Sequence, residues 1–428
     1  MKHVNESILH ILIQFLSMAI PFFTLIFITR TLPPDQIGLY EIFLVVCAIL
    51  FPAVSAGFDQ YIVNNFFRYS HNEKKNLIGN YLGYLGFISF IITCAAIPAL
   101  YTKYELMRLP AYSYMFFGLL SGLTAIITVG QSISLMQNNI LMQSLFLLGR
   151  SAAIYLLAIP LLIIFPNWNA LLFSNILLTI CVSTIAVRFL VKSNYFTFTI
   201  NNTSLISQWS LGGDLCFLSI IIQCLSYSDR LFIQYFINSD SVGIYAIPSR
   251  ITFACVMLVV ASCRATMPRV VREMTCEGGS LVNVVSILYI YWFLIFIGFG
   301  GLALLGGNFL TLSTGKSFHA GAVLIPPMAI SSLLYALFIC NSIVINSINK
   351  QKFMVYVAFF SLLINFILNY IFIPIYGNFG AAVISIITFG ILSISTFLLL
   401  FGSCNLPWRD GFSKLATNIS RYSKYLHQ

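Results

Sequence analysis

Charge is what this chain has least of. Only 8% of its 428 residues are Asp, Glu, Lys or Arg, and just 12 are acidic. A soluble domain carries about 25% charged residues. With 59% hydrophobic residues, this surface cannot face water, so the chain belongs in a bilayer. The apolar–polar alternation of a membrane β-barrel is missing too. Ten cysteines are scattered without CxxC or Cys/His spacing, which argues against a metal site or a disulfide framework. There is no GxxxxGK[ST] phosphate loop, no HExxH and no GxSxG. No catalytic residue and no cofactor is therefore expected. Features of a cleavable signal are absent, because the first apolar run continues through Pro21 to Thr29 and reads as a retained helix.

What the chain has in quantity is long apolar runs, each close to the roughly 20 residues a spanning helix needs. They predict an all-α polytopic membrane protein with twelve transmembrane helices in two pseudo-symmetric six-helix bundles. The expected division is 1–192 for the first bundle, 193–210 for a linker, 211–402 for the second bundle and 403–428 for a tail. The second span reads as 37–63 and the eighth as 243–268, both overlong. The prolines within spans predict bends, sharpest at Pro326-Pro327 early in the tenth.

The net charge of +10 is explained by topology rather than by nucleic acid. If the N-terminus is cytoplasmic, 15 of the 22 basic residues fall in cytoplasmic segments. Four fall outside (Arg30, Lys103, Arg108 and Lys316), and three lie in spans (Arg150, Arg230 and Arg250). This positive-inside bias predicts that both termini are cytoplasmic. Part of the inner charge can also hold anionic lipid headgroups.

One motif occurs twice. LPPDQIGLY runs from Leu32 to Tyr40 and INSDSVGIY from Ile237 to Tyr245. Asp35 aligns with Asp240, Gly38 with Gly243 and Tyr40 with Tyr245, all at an offset of 205 residues. Each copy stands at a turn between two apolar runs. Such a duplication predicts tandem bundles with a cleft between them.

Ionisable residues within spans are costly and point to partners or cavities. Asp229 and Arg250 flank the second motif turn at similar depth. They either lock the hairpin as an ion pair or face the cleft. Arg230, about 100° around the helix from Asp229, is a candidate for binding an anionic substrate. Arg30 and Glu41 flank the first turn more shallowly and suggest an interfacial salt bridge. Arg150 lies near the middle of its span with no acidic neighbour three or four residues away, so it needs a partner across the bundle, water or an anionic ligand. Asp59 and Asp214 are expected near the inner ends of their spans, as ion-coupling or interfacial groups. Asn175, Asn365, Asn369 and Tyr370 can contact sugar hydroxyls or bond neighbouring helices.

Several stretches resemble one superfamily. DRLFIQYFINSDSVGIYAIPSRITF (Asp229 to Phe253) and the later PRVVREM resemble the helix 7–8 signature of polysaccharide transporters in the MOP superfamily. Asn349 to Ser385 is similar to the helix 11–12 signature, with Asn365, Pro374, Gly377, Gly380 and Ala381 in place. LPPDQIGLY followed by AGFDQ resembles the N-terminal counterpart. Twelve helices and a short tail look like the Wzx-type O-antigen flippases. The resemblance implies a V-shaped MOP/MATE-like fold and a bacterial inner-membrane location. It implies flipping of undecaprenyl-pyrophosphate-linked oligosaccharide, the O-antigen repeat unit, by alternating access. Other partners expected are membrane lipids and polysaccharide-assembly membrane proteins, with no nucleic acid. A cation-lined cavity of this kind matches Arg150, Arg230 and Arg250. Rival readings are a MATE-like drug or cation exporter, which should favour acidic cavity residues, and the lipid II flippase branch, which usually carries two extra helices. A membrane glycosyltransferase or O-antigen polymerase is a third, but it needs a larger external loop than any here.

Overall fold

The computed structural model describes residues 20–21, 23–58, 61–62, 66, 69–95, 109–137, 139–151, 153–195, 202–275, 280–347, 350–403 and 406–413. No strand occurs among them. The helices are α1 (23–31), α2 (Pro34–Ser55), α3 (His71–Ala95), α4 (Ala111–Met136), α5 (Ile140–Ser151) and α6 (Ala153–Ile164). They continue with α7 (Trp168–Lys192), α8 (Asn202–Phe236), α9 (Ser239–Thr275), α10 (Leu281–Ser313), α11 (Ile325–Ser347) and α12 (Gln351–Ser403).

Nine helical segments among the described residues are long and apolar enough to cross a membrane. The chain is a multi-pass membrane protein. The first expected span, 8–29, lies largely outside the described residues. The expected span at 140–165 is helical over α5 and α6, with residue 152 between them outside the described residues. The longest helix, α12, breaks at Gly377, where φ is 58° and ψ is −140°. That left-handed backbone suits a residue without Cβ.

Several expected bounds move. α2 stops at Ser55 rather than running to 63, because Ala56 and Gly57 take left-handed backbone (φ 47° and 68°). The carbonyls freed there find partners on α3: Tyr81 donates to the Ser55 oxygen at 3.1 Å and Tyr84 to the Ala53 oxygen at 3.3 Å. α8 begins at Asn202, so part of the expected linker is helical. α9 is longer than expected, reaching Thr275. Pro326 and Pro327 do not kink a helix. They stand at the second and third positions of α11, after the 3-10 turn Lys316–Leu324, where a missing amide has no helical acceptor.

The helices gather into two compact units, Met1–Ala246 with Ser313–His319, and Ile247–Leu312 with Ala320–Gln428. In the first unit, α2 is packed between α4 and α8, with α3 and α7 against α4. In the second, α12 packs against α11. The asparagines in that unit tie helices together. Asn369 donates to Asn365 at 2.8 Å, Asn365 to Thr388 at 3.4 Å, and Asn341 to Thr396 at 3.3 Å. An amide side chain in an apolar bundle needs such a partner, since none is available from lipid.

Candidate functional site

The two motif copies meet inside the first unit. α2 starts on Pro34, whose fixed φ and missing N–H suit a first helical position. α9 starts on Ser239, and Asn238 accepts the Ser241 amide at 2.9 Å as its cap. The glycine of each copy lies on the start of the other's helix. A Cβ on Gly38 would stand 1.9 Å from the Ser239 carbonyl oxygen, and one on Gly243 would stand 2.0 Å from the Pro34 oxygen. Ser239 and Pro34 are themselves 205 residues apart, so the contact is reciprocal under the duplication. Only glycine permits backbones to approach this closely.

Around this crossing sits a buried cluster of charge. Arg230 on α8 is 4% exposed, and its Nε lies 3.9 Å from Glu41 Oε2 on α2. The Tyr227 ring centroid is 4.9 Å from the guanidinium carbon. Asp229, also buried, accepts hydrogen bonds from the Tyr245 hydroxyl and, at 2.8 Å, from the Arg230 amide. Gln234 donates to the Ser239 hydroxyl at 3.1 Å. Within an apolar unit, this pairing lets two charges persist away from water. The cation–ring contact adds attraction without neutralising the arginine.

The duplicated tyrosines diverge. Tyr245 serves Asp229, whereas Tyr40 accepts a hydrogen bond from Asn175 on α7 at 3.3 Å. The offset that relates Arg230 to Leu25 also relates Asp229 to Thr24 and Glu41 to Ala246. Leu25, Thr24 and Ala246 are all buried, and Thr24 donates to its own helix at Ile20. One side of the crossing is charged, and its related side is apolar.

The residues marked in the sequence thus have different fates. Arg230 and Asp229 come together here. Arg250 is half-buried and belongs to the second unit. Arg150 lies on α5 and Asp214 on α8, but their side chains are outside the described residues, as is Asp59 altogether. Arg30 is exposed and does not hold Glu41, whose ionic partner is Arg230. The chain-local pairing fails because α2 turns Glu41 into the bundle, toward α8. Glu41, Tyr245 and both glycines were not recognised as site residues from sequence. The signal available was the motif offset, which places one copy's neighbours opposite the other's. Among the described residues no cluster of three or more His, Cys, Asp or Glu could hold a metal ion.

Residues 4–274 match a family model described as "Polysaccharide biosynthesis protein". Among curated proteins, the chain is similar to the "Probable flippase AglR" of Haloferax volcanii, with 27% identity over 188 residues, 40% of this chain and 37% of that protein. The match therefore spans little more than a third of the relative's length. Among solved structures, "Lipid II flippase MurJ, inward closed conformation" superposes with a TM-score of 0.75 at 15% identity, covering 99% of this chain and 93% of that one. An inward-facing "multidrug resistance MATE family transporter of the MOP superfamily" gives 0.68 at 13% identity, covering 94% and 98%. The chain shares the fold of these two solved transporters. The matched proteins are named as flippases and transporters, not enzymes.

Proposed function

This chain belongs to the polysaccharide biosynthesis protein family, and from that premise we propose that it flips a lipid-linked oligosaccharide across the bacterial inner membrane. The substrate is an undecaprenyl-pyrophosphate-linked glycan of the O-antigen repeat-unit type. Its head passes through the protein while the polyprenyl tail stays in lipid, and no covalent bond changes. The observation that carries this reading is Arg230, a cation buried in an apolar unit and held by Glu41. A buried arginine with a carboxylate partner can exchange that partner for a phosphate, two of whose oxygens can accept guanidinium N–H bonds at once.

In this state Glu41 neutralises Arg230. During the cycle the crossing of α2 and α9 parts and Arg230 is released to the diphosphate. Arg150 and Arg250 serve as further cationic stations, and Asp229, Asp59 and Asp214 as coupling or structural carboxylates. Alternating access is the motion, with residues 1–192 and 211–402 as the repeated halves and both termini cytoplasmic. Polysaccharide-assembly membrane proteins supply and consume the substrate.

Deletion in the native host is the test in cells. Lipid-linked repeat units should accumulate facing the cytoplasm, and surface polysaccharide should fall, with both defects restored by the wild-type gene. Unchanged lipid-linked sugars and surface polysaccharide would sink the reading.

A further inference from the structure

A second cluster of cations lies at another part of the first unit, where α3 begins and α7 ends. α7 terminates in a left-handed turn at Asn194 (φ 56°), and the Tyr195 amide bonds back to the Leu190 oxygen at 3.0 Å. This turn folds Tyr195 onto the bundle, where it is buried in one apolar cluster with Phe66, Phe189 and Leu190. Tyr195 meets Phe66 edge-on at 6.3 Å and the His71 ring at 5.0 Å. Lys74 Nζ stands 4.2 Å from the Phe66 ring centroid. Lys192 closes α7 three residues before Tyr195. His71 and Lys74 thus stand against one ring pair, and Lys192 is exposed on the adjoining last turn of α7.

The segments that carry these cations hold little opposing charge. Across residues 66–80 and 185–195 the sole acid is Glu73. Its Oε2 is committed to the start of α3, accepting the Ser70 amide at 2.7 Å and the Ser70 hydroxyl at 2.8 Å. That is a capping box, which fixes the helix start and occupies the carboxylate. Lys74 lies on a ring rather than a carboxylate, so its position is fixed while its charge stays available. Positive-inside reasoning puts this end at the cytoplasmic face, but orientation alone asks only for lysines in loops. It does not ask that a lysine and a histidine be ordered against an edge-on aromatic pair.

We propose that His71 and Lys74, against the Phe66–Tyr195 ring pair, together with Lys192 on the adjoining last turn of α7, form a receiving site for a lipid-borne diphosphate. The site rests on the flippase reading and names the place where the substrate's charged group first docks. Two linked phosphates carry enough charge and reach to engage more than one of these cations at once. The lipid chain remains in the bilayer alongside.

The test uses the full-length protein in phosphatidylcholine nanodiscs, with geranylgeranyl diphosphate as probe. Lys74→Gln with Lys192→Gln should weaken probe binding about tenfold or more, since each surface cation contributes about 1 kcal/mol toward an anionic headgroup. Lys74→Arg should bind like wild type. Uncharged geranylgeraniol should show no difference between proteins. Equal affinity of the double variant and wild type overturns the site. Competition by phosphatidylglycerol as effective as that by the diphosphate also overturns it, because the ligand would then be bulk anionic lipid. If Lys74→Gln lowers the folded yield, the exposed Lys192→Gln alone carries the comparison, and about fivefold weaker binding is expected. Reconstituted wild-type protein separates the two levels. Flipping with an unaffected double variant sinks the site alone, whereas neither binding nor flipping sinks the underlying reading.

Discussion

Gly38 and Gly243 hold equivalent places, and a Cβ on either would strike the backbone at the start of the other's helix, at 1.9 or 2.0 Å. A few residues away the equivalence ends. On one side stand Glu41, Arg230, Asp229 and Tyr245, all buried and linked. On the related side stand Ala246, Leu25, Thr24 and Tyr40, buried without any charge. The duplicated backbone contact was kept while the side chains around it diverged. In the proposed cycle this crossing opens and closes, and a charge on only one side gives that movement something to hold or release.

This comparison can be broken most forcefully at its charged member. Arg230→Leu copies the apolar side but strands Glu41, and breaking a buried pair in this way costs about 3–5 kcal/mol. The thermal midpoint in detergent should drop sharply, and an unchanged midpoint would show that the pair is not buried as described. Next come the glycines. Gly38→Ala and Gly243→Ala should each cost about 1–3 kcal/mol through overpacking, and by similar amounts. If one is tolerated and the other is not, the contact is not reciprocal. Tyr245→Phe removes a hydrogen bond from a buried carboxylate and should cost about 1–3 kcal/mol, whereas Tyr40→Phe removes only a neutral bond and should cost about 1 kcal/mol or less. Equal effects would erase the proposed difference between the tyrosines. The smallest change in stability should come from Glu41→Ala combined with Arg230→Leu, which removes the ion pair whole and leaves Asp229 its hydrogen bonds from Tyr245 and the backbone. Replacing a whole buried pair is often neutral, so this variant should melt within about 1–2 kcal/mol of wild type and yet lose transport. A fully active double variant would remove Arg230 from the mechanism.

Much of the fold could be read from composition, because 59% hydrophobic and 8% charged residues leave only a membrane solution. The duplication could be read as well, since Asp, Gly and Tyr recur at one offset. Buried Arg230 stood out because an arginine in a span needs a partner. The partner itself was not legible. Glu41 lies near Arg30 along the chain, yet Arg30 points to the outside and Glu41 meets a residue on α8. The end of α2 was hidden in the same way. Hydrophobicity continues past Ser55, whereas the stop comes from left-handed backbone at Ala56 and Gly57 and from tyrosines on α3 that donate to the helix's last carbonyls. The glycines read as a repeat signature, and only packing between distant segments reveals their contact. Local pattern reports periodicity and burial, but it carries no record of which buried groups meet.

The central claim is that a lipid-linked sugar, not a small drug, crosses through this protein. The most direct measurement uses proteoliposomes loaded with a fluorescent polyprenyl-diphosphate oligosaccharide, with a sugar-cleaving enzyme added outside. Wild-type protein should expose the inner-leaflet pool to cleavage at a rate that protein-free vesicles and the Glu41→Ala/Arg230→Leu variant do not reach. Cleavage confined to the outer pool, alongside export of a lipophilic cation from the same vesicles, would contradict the account.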